Sequence, residues 1–285
     1  MQAQKTQHPT ITKFYQIQSN GGTTGKLTLT KAGVRELAMN YGADDAGFVS
    51  IDDPQIADQR DGIVAEFPYA KTLISLVRRM NREPVRNLNR SVANLEFHYV
   101  TDDLNEIAHD IVADLERRGI RSANPAAGFP MDMSGFPGKV WTVSHKPVAV
   151  AAGLGKMGIH RNVIHPKFGN FIILGTVVTE LELDTYDEPI DYNPCLECKL
   201  CVSACPVGAI AADGNFNFAV CATHNYREFM GGFTTWAETV AESKSVLDYR
   251  KKFNDGESAS MWQSLSFGAI TRPPTAWPSA RRAKT

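Results

Sequence analysis

Three absences narrow the classes of protein that this sequence can encode. Its 30 basic residues are balanced by 31 acidic ones, so the chain lacks the basic excess with which nucleic-acid-binding proteins attract phosphates. It also lacks an apolar run of about 18 residues, the length that spans a bilayer, and its first residues lack the apolar core of a secretion signal. We therefore expect neither a nucleic-acid partner nor a membrane partner.

Cysteine is also absent from most of the chain. All five cysteines lie between positions 195 and 221, which leaves none for a disulfide framework spread over the fold. Thiols gathered in one short stretch suit metal ligation in a reducing compartment. The cytoplasm is therefore the expected location.

The clustered cysteines have the spacing of an iron–sulfur site. Cys195, Cys198, Cys201 and Cys205, followed by Pro206, form the C-x2-C-x2-C-x3-C-P pattern of bacterial ferredoxins. A structural zinc site is the alternative, but zinc sites usually present two separated C-x2-C pairs. The spacing predicts one [4Fe-4S] cluster, and since the fourth cysteine of this pattern ligates another cluster in two-cluster ferredoxins, Cys205 does not close the site by itself.

The rest of the chain predicts a mixture of helices and strands. At about 150 residues per domain, 285 residues make one large domain or two ordinary ones. Helical periodicity predicts one helix from a Thr30 cap to Gly42 and a second, strongly amphipathic helix from a Thr101 cap to Gly119. Apolar runs predict strands over 46–51, 72–77 and 171–178. Five arginines between positions 78 and 90 predict a solvated loop, with an anionic cofactor edge as the alternative.

A glycine-rich stretch precedes the last of these strands. Gly153, Gly155 and Gly158 imitate a dinucleotide-binding fingerprint, but they follow a short helix that Pro147 begins and precede an irregular loop. A Rossmann fingerprint must follow a strand and begin a helix, so we exclude NAD binding. Either the backbone here approaches a flat or bulky group, or the glycines serve tight packing of the chain on itself.

The order of these motifs resembles that of a known family. The series Ala-Ala-Gly-Leu-Gly-Lys-Met-Gly, then His-Pro-Lys-Phe-Gly, an apolar strand and the cysteine run is similar to the cobalamin-dependent epoxyqueuosine reductases and reductive dehalogenases, over roughly residues 30–270. The resemblance implies an α/β (α+β) fold, with a nitroreductase-like domain that binds base-off cobalamin before a ferredoxin-like iron–sulfur module. The implied parts are an N-terminal arm (1–26), the nitroreductase-like domain (27–185), the iron–sulfur module (186–270) and a polar tail (271–285).

The same resemblance implies residues that contact the corrin ring. They are the glycine-rich segment and parts of the turn that follows it: Gly153, Leu154, Gly155, Gly158, His160, Pro166, Phe168 and Gly169.

The chain departs from the family in its later cysteines. Family members carry an isolated cysteine, which Cys221 matches, and then a second C-x2-C-x3-C-P run, where this chain has none and Leu265 stands in place of a ligand. We therefore expect a single cluster. It is either a three-cysteine site completed by another ligand or solvent, or a rearranged site that uses Cys205 or Cys221. His224 is a candidate ligand, with an ordinary surface histidine as the alternative.

The family's proton donors have no plain counterpart. Epoxyqueuosine reductases place a carboxylic acid just ahead of the Gly-Leu-Gly helix, where this chain has none, and dehalogenases use a tyrosine. The candidate catalytic residues are therefore Tyr99, Asp132 and His145. Tyr99 is alternatively a core residue and His145 a polar group at a helix start.

The resemblance implies a reductase in which a cluster passes electrons to a bound corrinoid that reduces a small organic substrate. An external donor of the ferredoxin or flavodoxin type would supply the electrons. A tRNA substrate is not expected, because the chain has no basic surplus and lacks the helical-repeat extension of many epoxyqueuosine reductases. The alternative is a non-catalytic electron-transfer or corrinoid-binding protein that retains the fold.

Overall fold

A four-stranded sheet forms the centre of the protein. The computed structural model describes residue 9 and residues 29–128, 130, 141–192, 194–195, 198–221 and 233–267. The strands lie in the order β1-β2-β6-β3, and all neighbours are antiparallel. They are β1 (Asp45–Ser50), β2 (Thr72–Arg79), β3 (Ser122–Ala123) and β6 (Ile172–Thr179), while β4 (Lys156–Met157) and β5 (Val163–Ile164) form a separate small hairpin.

Helices α1 and α4 cover one face of this sheet, and α2 and α5 cover the other. The helices of the described residues are α1 (Lys31–Asn40), α2 (Ala57–Glu66), α3 (Arg82–Arg86), α4 (Arg90–Arg117), α5 (His145–Ala151), α6 (Leu200–Ala204), α7 (Phe233–Glu242), α8 (Val246–Lys252) and α9 (Asp255–Phe267), with a 3-10 turn at Pro54–Ile56. The mixed helix-and-sheet class expected from the sequence is confirmed, and the antiparallel pairing makes it α+β. Within the described ranges, no helix is both long enough and apolar enough to cross a lipid bilayer.

Strand β2 is buried on both faces, as its β-branched sequence predicts. Ile74 and Leu76 point into a core shared with α1 and α4, whereas Leu73 and Val77 point into a second core shared with α2 and α5. This alternation follows from the two-residue period of a strand. The sheet therefore separates two hydrophobic layers, and only the layer on the α5 side leads to the glycine-rich stretch.

Helix α1 has the boundaries that the sequence predicts. Thr30 caps it, since its hydroxyl accepts a hydrogen bond from the Gly33 N–H at 3.2 Å. The helix ends at Asn40, and Gly42 follows with a φ of +104°. The left-handed backbone at that position favours glycine.

Helix α4 begins earlier than predicted. Asn89 is its cap and accepts a hydrogen bond from the Ser91 N–H at 3.1 Å. Thr101 lies inside the helix, where its hydroxyl donates to the Phe97 carbonyl at 2.7 Å, so the predicted Thr101 cap is wrong. The predicted loop over 78–90 is also wrong in part, because β2 continues to Arg79 and helix α3 follows.

The connection from β6 toward the cysteines is held against β1. The Asp187 carboxylate accepts a hydrogen bond from the Phe48 N–H at 2.9 Å, and the Asp187 N–H donates to the Phe48 carbonyl at 2.9 Å. The same carboxylate pairs with Lys31 at 2.9 Å and with Arg35 at 3.0 Å. These contacts bind the start of the cysteine segment to the sheet.

The packing of α4 on the sheet can be tested by truncating one side chain. Leu104 is fully buried, and a Cβ placed on Gly175 of β6 would lie 3.2 Å from its Cγ. We expect Leu104→Ala to lower the free energy of unfolding by about 2–5 kcal/mol, because it leaves a cavity in the core. Urea unfolding monitored by circular dichroism measures this change.

The matched control is Leu247→Ala in α8, where the side chain is 75% exposed. That variant should stay within about 0.5 kcal/mol of the wild type. Equal losses in the two variants would contradict the packing described for α4.

Candidate metal and cofactor site

The first three cysteines of the predicted cluster motif lie near one another. Cys201 is buried in α6, Cys198 is exposed, and Cys195 is half-buried. Lys199 takes a left-handed backbone with a φ of +44°, which turns the chain between the second and third thiols. Burial raises the pKa of the Cys201 thiol, and the neighbouring thiols of Cys195 and Cys198 raise it further. The three thiols therefore lie close enough for the charge of one to affect the others.

These thiols do not converge on one point. In the portion of the chain that the structure describes, no three histidine, cysteine or acidic side chains are placed to hold a single metal ion. A cubane cluster has a different requirement, because each thiolate binds a different iron. Cys195, Cys198 and Cys201 could each bind a separate iron of such a cluster.

The other two cysteines have different surroundings. The Cys205 sulfur follows the end of α6 and accepts a hydrogen bond from the Ala209 N–H at 3.2 Å. Cys221 lies near Lys146 at the start of α5: crowding by protein atoms lowers the pKa of that lysine, and the charge of Cys221 opposes the shift. Lys146 retains solvent contact, so the size of this effect is limited.

The cysteine segment packs directly on the glycine-rich segment. Cys201 and Ile210 form a small buried cluster, against which Ile159, Cys205 and Phe216 pack among others. The Arg161 guanidinium also lies over the Phe216 ring, 5.8 Å from its centroid. A cluster held by these cysteines would therefore lie beside the residues that follow Gly158.

The glycines of this segment pack against the chain itself. A Cβ on Gly153, whose φ is +69°, would lie 2.5 Å from the Glu188 carbonyl oxygen, and one on Gly155 would lie 2.5 Å from the Ile164 carbonyl oxygen. A Cβ on Gly158 would lie 2.7 Å from the His160 ring. Leu154 is buried in the core on the α5 side of the sheet. Internal packing thus accounts for these glycines without a cofactor.

His160 is a buried side chain with an unpartnered nitrogen. It is 7% exposed, and its Nδ1 accepts a hydrogen bond from the Asn162 N–H at 3.1 Å. The neutral ring therefore carries its proton on Nε2, which is buried with no hydrogen-bond partner in the described structure. Burial, with the nearby charge of Lys146, lowers the pKa of His160 to about 4. A buried donor of this kind costs about 1–3 kcal/mol, which a bound acceptor would recover.

The His-Pro-Lys-Phe-Gly motif forms a closed turn. His165 and Gly169 exchange two backbone hydrogen bonds of 2.9 and 2.8 Å, and Gly169 has a φ of +65°. The His165 Nδ1 accepts from the N–H groups of Lys167 and Phe168, and its ring stacks on the Phe168 ring at 4.8 Å. Pro166 is exposed at the tip of the turn.

Asp45 joins this turn to the sheet. The His165 Nε2 donates to the Asp45 carboxylate at 3.1 Å. Burial acts to raise the pKa of Asp45, but hydrogen bonds from His165 and the Ala46 N–H outweigh it and lower that pKa. Sequence reasoning missed His165, although it is the first residue of a motif that was recognised.

The candidate proton donors are not brought together. Tyr99 lies on α4 and is 72% exposed, whereas His145 is buried in α5 on the opposite side of the sheet. The His145 Nδ1 bonds to the Thr176 hydroxyl at 2.8 Å, its Nε2 bonds to the Ala126 carbonyl at 3.0 Å, and burial lowers its pKa. This arrangement describes a neutral structural histidine. Asp132 and the candidate ligand His224 lie outside the described residues.

Comparison with known protein families agrees with the cysteine motif. Residues 188–211 match the family described as a 4Fe-4S binding domain, and this range contains Cys195, Cys198, Cys201 and Cys205. This family match confirms the prediction of an iron–sulfur cluster.

Curated relatives are epoxyqueuosine reductases. The enzyme of Lactococcus garvieae is 36% identical over 77 residues, which are 27% of this chain and 21% of that protein. The enzyme of Vibrio cholerae is 32% identical over 89 residues, which are 31% and 24% of the two chains. The enzyme of Cellulophaga algicola is 32% identical over 103 residues, or 33% of each chain. The chain thus matches a fifth to a third of the length of these relatives.

Solved structures show a similar fold. A structure reported for a B12-dependent reductive dehalogenase superposes with a TM-score of 0.58 at 16% identity and covers 88% of this chain and 39% of that one. A solved epoxyqueuosine reductase gives a TM-score of 0.52 at 19% identity over 70% and 58% of the two chains. The resemblance inferred from the motifs is confirmed: this chain is related in part of its sequence to epoxyqueuosine reductases and shares its fold with them and with reductive dehalogenases.

Proposed function

We propose that this chain is an iron–sulfur reductase in which a single cluster delivers electrons to a corrinoid bound beside residues 153–169. The observation that carries the proposal is the packing of Ile159, next to Gly158, against the buried cluster of Cys201 and Ile210. An electron carrier and its acceptor must lie close together, and this contact supports such an arrangement.

The cysteines fit the cluster by their chemistry. Cys195, Cys198 and Cys201 provide three thiols close enough to influence one another's charge. Since the fourth cysteine of this spacing ligates another cluster in two-cluster ferredoxins, we propose three thiolate ligands and leave the last iron to a ligand other than cysteine or to solvent. When bound, the cluster carries single electrons and the corrinoid supplies the metal centre that accepts them.

The corrinoid fit rests on His160. Its buried Nε2–H has no acceptor within the described structure, and it lies between the glycine-rich segment and the turn of His165. We propose that His160 donates a hydrogen bond to the bound cofactor. Pro166, Phe168 and Gly169 stay proposed contacts, since the turn is closed and fixed to β1. The glycines are weaker support, because the chain's own packing explains them.

The domain assignment belongs to the same proposal. We propose that residues 27–185 form a nitroreductase-like domain and residues 186–270 the iron–sulfur module. The boundary falls where Asp187 fixes the connecting segment to β1. The predicted proton donors remain Tyr99, Asp132 and His145. The hydrogen bonds that His145 makes to Thr176 and Ala126 argue against this role for His145.

The substrate class has two candidates. We propose a small organic molecule, with electrons supplied by an external donor of the ferredoxin or flavodoxin type. A solved epoxyqueuosine reductase, which superposes with a TM-score of 0.50, was crystallised with an epoxyqueuosine-modified tRNA stem loop. A modified tRNA is therefore the competing substrate. Turnover assays of the cluster-loaded protein with such a stem loop and with halogenated phenols decide between them, and no turnover with either favours the non-catalytic alternative.

The ligand set of the cluster is open to direct test. Protein reconstituted without oxygen should carry about four irons and equivalent sulfide per chain. We expect Cys195→Ser, Cys198→Ser and Cys201→Ser to lose most of this iron, because each removes a thiolate ligand, whereas Cys205→Ser and Cys221→Ser retain it. Iron and sulfide analysis with electron paramagnetic resonance measures the outcome. Stoichiometric zinc without sulfide would overturn the cluster, and loss of iron in Cys205→Ser would overturn the three-thiolate assignment.

Corrinoid binding is tested at His160. Added cobalamin should shift in absorbance on binding to the cluster-loaded wild type, and His160→Leu should weaken this binding about tenfold, as loss of one buried hydrogen bond predicts. The melting temperature of His160→Leu should change little, because removal of the unpartnered buried donor offsets the loss of the acceptor that Nδ1 provides for the Asn162 N–H. His160→Gln keeps an N–H donor and is the matched control. If His160→Leu binds cobalamin as tightly as the wild type, His160 does not contact the corrinoid. If cobalamin added to the wild type shows no shift in absorbance, the proposal that this chain binds a corrinoid is wrong.

Gly155→Ala separates packing from binding. Its new Cβ would meet the Ile164 carbonyl oxygen at 2.5 Å, so we expect a loss of about 1–3 kcal/mol in the free energy of unfolding. Denaturant titration without cobalamin measures this loss. If the variant is as stable as the wild type, the hairpin of β4 and β5 can shift to accommodate the new Cβ without a measurable loss of stability.

The pKa of His160 predicts how stability depends on pH. In the unfolded chain the imidazole takes up a proton near pH 6.5, while the folded protein resists this until pH falls to about 4. Stability is therefore complete above pH 6.5 and decreases as pH falls through this window, by a total on the order of 3 kcal/mol. Denaturant titrations at pH 7 and pH 4.5 measure the decrease. His160→Leu should reduce it, and the buried His145 should leave a remainder of the same sign.

A further inference from the structure

Two residues beside the cysteines have an unusual backbone conformation. Among the described residues, Arg161 and Lys199 are the only ones other than glycine that have a positive φ, at +60° and +44°. The Cβ atom makes this left-handed conformation unfavourable for most residues, whereas glycine adopts it freely and asparagine tolerates it. Both positions hold long cationic side chains instead, and the backbone alone does not explain that choice.

Neighbouring groups hold Arg161 in this conformation. Its N–H donates to the Gly158 carbonyl at 2.9 Å, and its carbonyl accepts a hydrogen bond from the Lys146 ammonium at 2.8 Å. The guanidinium lies 5.8 Å from the centroid of the Phe216 ring, and this ring packs against the small buried apolar group that contains Cys201. The turn thus places a positive charge over an aromatic ring that packs on the cysteine segment.

Lys199 carries the second charge. It stands between Cys198 and Cys201 in the sequence and immediately precedes α6. Lys199 and Cys198 are both exposed. The left-handed turn lets the chain pass from the second thiol to the third, and a glycine would allow the same turn. The lysine therefore adds a charge that the geometry of the loop does not need.

Neither cation pairs with a carboxylate in the part of the chain that the structure describes. The described acids of the cysteine segment that follow Asp187 are Glu188, Asp191 and Asp213, which are exposed and form no ion pair there. The glycine-rich stretch supplies no acid either, since residues 133–179 contain five lysines and arginines and no acidic residue. The charges of Arg161 and Lys199 thus remain available to act on a group beside them.

We propose that Arg161 and Lys199 set the reduction potential of the iron–sulfur cluster through their positive charge. This inference rests on the proposed function, because it requires the cluster. Reduction by one electron from the external donor, which is thereby oxidised, makes the cluster more negative by one charge. Nearby cations lower the free energy of the more negative state, so they raise the reduction potential. The external donor then reduces the cluster more readily.

Asparagine is the informative replacement, because it tolerates a left-handed backbone and carries no charge. Arg161→Asn and Lys199→Asn should keep the iron content of the wild type. At a fixed applied potential, each should lower the ratio of reduced to oxidised cluster about threefold. The double variant should lower it about tenfold, which is about 59 mV for a one-electron couple. Redox titration followed by electron paramagnetic resonance, without cobalamin, measures these shifts.

Arg161→Lys and Lys199→Arg are the matched controls, since they keep the charge and should keep the potential. Arg117→Gln removes the same charge from α4, on the opposite face of the sheet, and should not move the potential. The shifts in the asparagine variants should shrink at about 1 M salt, where the screening length is about 3 Å. Shifts that persist at this salt concentration would come from an altered backbone and would overturn the proposal.

The remaining outcomes separate this inference from the proposed function. A wild type that binds no iron and sulfide overturns both. A loaded wild type whose potential equals that of both asparagine variants overturns this inference alone. An equal shift in Arg117→Gln also overturns it, because the net charge of the chain would then matter rather than the positions of Arg161 and Lys199.

Discussion

The burial of β2 on both faces determines where everything else can lie. A strand with apolar side chains in both directions requires a helical layer on each side, and the chain supplies different ones: α1 and α4 on one face, α2 and α5 on the other. Because α5 leads into the glycine-rich segment, the candidate cofactor site belongs to that layer. The α4 layer packs on the other face of the sheet. The sheet thus places on opposite faces two groups of helices that alternate along the sequence.

Polar contacts then fix the site to this sheet. Asp187 holds the connection to the cysteines on β1, and Asp45 holds the turn of His165 on the same strand. Both carboxylates also bind Arg35, so one guanidinium links the two anchors. Half-buried charges that share hydrogen bonds in this way contribute more than exposed pairs do. The cysteine segment and the turn are therefore positioned by a common element, and this is the physical basis for treating them as one site.

Local signals were sufficient for part of this structure. The Thr30 cap, the three long strands β1, β2 and β6 and the cysteine spacing each depend on residues close together in sequence, and each was predicted. The two-residue strands β3, β4 and β5 were not. The start of α4 was not, because Asn89 caps a polar segment whose helical face becomes apparent only through its packing on the core. For Gly153 the sequence left packing and close approach to a bulky group as alternatives, since the atom it meets belongs to Glu188, 35 positions further along. His165 acquires its environment from a similarly distant contact, with Asp45, so residue type alone could not assign its role.

The length of α4 has a consequence for how its surface can change. Its 28 residues extend about 42 Å at 1.5 Å per residue, whereas the eight residues of β2 extend about 27 Å. The helix is therefore about ten residues longer than the strand that it covers. In its first half, Leu95 and Tyr99 are 68% and 72% exposed. Substitutions at these two positions can change the surface of the protein without disturbing the packing of Leu104 against Gly175 of the sheet, so surface chemistry and core packing are free to diverge independently.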